Sequence, residues 1–125
     1  NQLLQMLDKL KSMDELPIIN RIYSTYKAVV EINNHLEKRW RYSLGQNLEN
    51  SILSLMQEIV MAKNAPKHLK APYLIKGSSH IEISTLKLRL FLELGIANET
   101  KIFQAQALLV EIGRMLGGWL KSVNS

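Results

Sequence analysis

Residues 82–95 read EISTLKLRLFLELG, and the reading of this stretch decides the fold. Leu86, Leu88, Leu90, Leu92 and Leu94 alternate with Lys87, Arg89, Phe91 and Glu93, which is the two-residue period of a strand. Residue type argues the other way. Leucine is a good helix former, and the β-branched residues that favour strands are sparse after Thr85. Placed on a helix, Glu82, Thr85, Arg89 and Glu93 fall at spacings of three, four and four, forming one polar stripe while nearly everything else is apolar. The stretch is therefore predicted to be a helix that starts between Lys67 and Pro72 and ends at Gly95, a residue suited to a C-terminal cap. A helix that is apolar over most of its circumference must be buried on more than one side. A single four-helix bundle leaves one of those sides exposed, so this helix predicts an oligomer.

Outward from this stretch the pattern stays helical. Asn98 is placed to cap a following helix, with Glu99 favourable in its first turn. Residues 105–123, AQALLVEIGRMLGGWLKSV, carry Ala105, Leu108, Ile112, Met115, Trp119 and Val123 on one helical face. Gly113 and Gly117 stand four apart there and predict a flat groove with a tightly packed neighbour. They do so at the expense of helix stability, since glycine is about 1 kcal/mol worse than alanine in a helix interior. Towards the N-terminus, Ser43-x-x-Gln46 has the form of a capping box and predicts the start of the second helix, which should end near Asn64, before Pro66. The first helix is expected to begin near Leu16, where Ser12-x-x-Glu15 and Pro17 offer competing starts, and to run to about Lys38. Its stripe includes Asn33, a polar residue expected to bond to a facing helix. Residues 1–12 form a short amphipathic segment with Leu3, Leu7 and Leu10 on one side. The prediction is an all-α, up-down-up-down four-helix bundle over residues 13–125.

Composition limits the chemistry. A chain of 125 residues suits one domain that buries its own core. With no cysteine there is no disulfide framework, thiolate zinc site or cysteine nucleophile. No signal-peptide pattern or long apolar run appears, so the chain is expected to be soluble, cytoplasmic and without a membrane partner. It starts at Asn1 rather than Met, which suggests a piece of a longer polypeptide. His35, His68 and His80 are read as surface or capping residues. No Glu-x-x-His pair, H-E-x-x-H motif, glycine-rich phosphate loop or nucleophile elbow is present. An enzyme is therefore not predicted, nor a cofactor or metal.

The net charge is +5, and its distribution points to a partner class. Residues 38–76 contain seven basic residues against Glu49 and Glu58, which accounts for the whole excess. Such a bias favours a polyanion such as nucleic acid. The competing explanation is that helix ends collect cations because of the helix dipole. In an up-down bundle, Lys38, Arg39 and Arg41 fall at one end, and Lys63, Lys67 and Lys70 at the other. A ring of subunits would repeat both clusters. Lys87 lies across its helix from the polar stripe. It reads either as a lysine snorkelling at an interface rim or as a charge facing a phosphate. Lys38, Arg39, Arg41, Lys63, Lys67, Lys70 and Lys87 are the candidate nucleic-acid contacts.

Three runs carry a family resemblance: Arg41-Tyr42-Ser43-Leu44-Gly45-Gln46, Lys70-Ala71-Pro72, and Glu111-Ile112-Gly113-Arg114-Met115-Leu116-Gly117-Gly118-Trp119-Leu120. Together they resemble the small four-helix bundle proteins related to the 23S rRNA intervening-sequence protein. Within these the chain is most similar to the accessory variability determinants (Avd) of diversity-generating retroelements, over roughly residues 13–123. The resemblance implies a non-catalytic protein that forms a barrel-shaped homopentamer with a basic surface. It also implies binding to the retroelement's reverse transcriptase and to RNA, possibly DNA, in support of mutagenic cDNA synthesis. By position, Lys87 matches a basic site on the third helix of that family, while Phe91 stands where a second basic residue is expected. The alternative within the same resemblance is an intervening-sequence-type bundle of unknown role.

Overall fold

A computed structural model describes residues 1–6 and 16–125. The Ser12-x-x-Glu15 pair and the boundary after residue 12 lie outside the described residues. Four long helices make up the fold: α1 (Pro17–Asn34), α2 (Gln46–Asn64), α3 (Lys70–Leu94) and α4 (Glu99–Val123). No strand occurs among the described residues, so residues 86–94 are helical despite their alternation. Residues 2–6 are also helical.

Cross-helix contacts fix the topology. Asn33 and Tyr26 of α1 meet Gly45 and Glu49 near the start of α2. Lys87 of α3 reaches Asn47 and Ser51, whereas Gly77 packs near Leu55 and Ile59. Thr85 and Gln106 join α3 to α4, and an Arg21–Glu111 ion pair of 2.9 Å joins α4 to α1. Short links between consecutive helices make each neighbouring pair antiparallel, and the four helices close into a cycle. Ile22, Leu48, Ile52, Leu55, Leu88, Phe91, Ile102, Leu109 and Ile112 fill the centre with no exposed surface. Side chains of this size contribute about 1.5–3 kcal/mol each on full burial.

Local chemistry explains the helix ends. Pro17 sits in the first turn of α1, where its missing N–H costs nothing. At the other end α1 stops at Asn34, short of the expected Lys38. The Arg41 guanidinium caps it there, donating to the carbonyls of Asn33, Asn34 and Leu36. Leu36 remains buried from the turn beyond the helix, which is why the apolar stripe overran the helix end. The Ser43 capping box does not form. The chain is already helical at Lys38–Trp40 and passes through a π-turn, Arg41–Gly45, into α2. Ser43 Oγ donates back to the Arg39 carbonyl at 2.6 Å, as serines inside helices do. Gly45 is required at this point, because a methyl group there would stand 2.9 Å from Asn33 Oδ1. Gly95 closes α3 in the left-handed region at φ 64°, and the N–H of Ile96 reaches the Phe91 carbonyl at 3.2 Å. Asn98 Oδ1 accepts from the Lys101 N–H at 3.0 Å and caps α4 as expected.

The glycine groove on α4 differs from expectation. A Cβ placed on Gly113 or Gly117 would meet nothing within 4 Å. The tightly packed glycines are Gly45 and Gly77, and the α4 glycines face open space.

Candidate nucleic-acid interface

The rise of an α-helix separates the two ends of the 19-residue α2 by about 28 Å. Lys38, Arg39 and Arg41 lie at its entry and Lys63, Lys67 and Lys70 at its exit, as two clusters rather than one patch.

The seven candidates are not equally available to a partner. Arg41 is engaged as the cap of α1. Lys70 plays the same part for α2, donating from Nζ to the Ala62 carbonyl at 2.7 Å and to the Lys63 carbonyl at 3.1 Å. It also lies over the Trp119 ring. Both cations satisfy orphan carbonyls where the helix dipole is negative. Arg39 stacks on Trp40 and pairs with Glu37 at 3.4 Å. Lys38, Lys63 and Lys67 form no ion pair among the described residues. Among the described residues, theirs are the candidate charges left without a side-chain hydrogen bond or ion pair.

Lys87 is neither fully snorkelling nor fully outward. Its ammonium turns to α2, where it donates to Ser51 Oγ and, at 3.4 Å, to the Asn47 carbonyl. Burial holds its pKa below the ordinary lysine value. A shallow recess of about 260 Å³ opens beside it, bordered by Asn50, Ser54, His80 and Ile83. These bordering residues were missed in the sequence, because only the pairing of α2 with α3 brings them to Lys87. The folding of the chain also adds Lys121, in the last turn of α4, to the end that holds Lys63 and Lys67. Tyr42, 66% exposed beside Arg41, is an available aromatic face at the opposite end.

Two apolar surfaces accompany the charges. Ile83, Leu86, Leu90 and Leu94 are exposed on α3, the unburied side expected from its sequence. An open groove of about 470 Å³ runs between α1 and α2, lined by Tyr23, Val30, Leu53 and Met56 among others. No group of three or more His, Cys, Asp and Glu able to hold a metal occurs among the described residues. No helix among them is long and apolar enough to cross a membrane.

Four antiparallel helices with cations gathered at both ends define a basic helical-bundle protein. A family model described as bAvd-like matches residues 16–123. The chain belongs to this family, the bacterial accessory variability determinants of diversity-generating retroelements. No match was found among curated proteins.

Proposed function

We propose that this protein is the accessory subunit of a diversity-generating retroelement that binds the reverse transcriptase and its template RNA. The lysines at the bundle ends meet phosphates, and a homo-oligomeric ring, a pentamer, repeats them into a continuous basic surface. The observation that supports this most directly, beside family membership, is that Lys38, Lys63 and Lys67 have no acidic partner among the described residues. Phosphate contacts of this kind position a partner without reading its sequence. Tyr42 adds one aromatic face for an unstacked base at the Lys38 end. Binding is driven by counterion release, so affinity falls steeply with salt.

The test is the affinity for template RNA across a salt series, together with a pull-down of the retroelement's reverse transcriptase. Each phosphate-binding lysine replaced by alanine should reduce the salt slope by about 1. An affinity that is flat between low and high salt rules out phosphate-driven binding. A reverse transcriptase that is not retained removes the polymerase half of the proposal.

A further inference from the structure

The recess between α2 and α3 gathers hydrogen-bond donors and no acid. Lys87 Nζ has three N–H groups, of which two are directed to Ser51 Oγ and the Asn47 carbonyl. The third has no partner among the described residues. The His80 ring and the Ser54 hydroxyl line the recess, both half-buried and neither hydrogen-bonded among the described residues. The carboxamide oxygen of Asn50 accepts from Gln46 Nε2 at 3.5 Å, which leaves its NH2 end unengaged. Among the described residues, no Asp or Glu borders the recess and no carboxylate lies within 4 Å of Lys87. Ile83 supplies an apolar wall on one side of the recess.

A cation partly withdrawn from water is ordinarily paired with an anion. Here the described residues supply only neutral oxygens, and burial weakens the hold of Lys87 on its proton. An anion bound in the recess would restore it. The volume of about 260 Å³ is smaller than that of most small-molecule sites, which suits one compact anionic group.

We propose that this recess is an oxyanion seat for a single phosphate group, with Lys87 supplying the charge and Ser54, His80 and Asn50 the further donors. The phosphate belongs either to an RNA backbone or to a free phosphate. Only the first source rests on the RNA-binding reading above. The seat itself rests on its donor set and on the unpaired ammonium.

The experiment is an amide chemical-shift titration of the full chain with inorganic phosphate, using chloride at matched ionic strength as the control. Saturable shifts are expected at Asn50, Ser54 and His80. Lys87→Met should weaken phosphate binding at least tenfold, the effect of one charge-assisted hydrogen bond. Ser54→Ala and His80→Gln should each weaken it about threefold. All three variants should keep the helical circular-dichroism spectrum. Competition by a short oligoribonucleotide assigns the seat to RNA phosphate, and absence of competition assigns it to free phosphate. If phosphate gives no saturable shift in the recess, or if Ser54→Ala and His80→Gln leave its affinity unchanged, the seat is overturned. That result leaves salt-dependent RNA binding standing, whereas a flat salt series leaves the seat standing.

Discussion

At Ser84, α3 carries a hydroxyl into the core where its Oγ finds no hydrogen-bond partner among the described residues. Desolvating a hydroxyl without compensation is unfavourable, and alanine is the better helix former. Ser84→Ala should therefore stabilise the fold by about 1 kcal/mol. A urea midpoint that is unchanged or lower would contradict the reading of Ser84 as unsatisfied. Asn33 is half satisfied: its Nδ2 is shared between the Gly45 carbonyl at 2.8 Å and Glu49 Oε2 at 2.7 Å, while its buried Oδ1, like Ser84 Oγ, finds no hydrogen-bond partner among the described residues. The other oxygen of Glu49 accepts from the Tyr26 hydroxyl at 3.4 Å. Burial, and then the Glu49 charge and this hydrogen bond, raise the Tyr26 pKa above the ordinary phenol value of 10.0. The native state thus holds that proton more tightly than the unfolded chain. The resulting stability is complete below the unfolded phenol pKa and is lost as pH rises through the native one. Tyr26→Phe should remove this alkaline loss, seen as a flatter dependence of Tm on pH above about 10. Parallel curves for the two proteins would show that Tyr26 is not coupled to folding.

The helix ends sort the cations by task. Arg41 and Lys70 together make five hydrogen bonds to carbonyls at or near helix C-termini. Arg41→Ala should cost about 1–2 kcal/mol in chemical denaturation, as loss of charged hydrogen bonds at a helix end. Lys67→Ala should stay within about 0.5 kcal/mol of the parent, as surface changes do. The reverse ranking would return Arg41 to the partner-binding surface. The same comparison shows how much the sequence revealed. The apolar spacing identified four helices, and Gly95, Asn98 and Pro66 marked ends that the structure keeps. Ser43 misled because a capping box is a local pattern, whereas the π-turn beside it depends on Arg41 and Gly45 meeting α1. Charge counting found the basic residues but not their partners, because a carbonyl seven or eight residues away enters no charge pattern. His80 and Ser54 were invisible as site residues for the same reason. They become neighbours of Lys87 only when α2 and α3 pack.

For the whole molecule, the question is how the proposed ring closes. A ring joins subunits head to tail and so needs two different surfaces on each copy, whereas a twofold dimer uses one surface twice. Burying what remains exposed of Leu86, Leu90 and Leu94 is worth about 1 kcal/mol each, roughly half of a full burial. Association costs about 4–15 kcal/mol, so this face does not suffice alone. The groove between α1 and α2, with Tyr23 and Leu53 exposed, is a second apolar surface on a different flank. The expectation is therefore that Leu86→Glu and Leu53→Glu each reduce the assembly to monomers while the helices stay folded. Light scattering then decides the geometry when the two variants are mixed. Each keeps one intact surface, the groove in Leu86→Glu and the α3 face in Leu53→Glu. Head-to-tail pairing allows one sound contact between them, so the mixture should form a dimer that neither forms alone. A mixture that stays monomeric, or a Leu53→Glu variant that assembles like the parent, would exclude ring closure through these two faces.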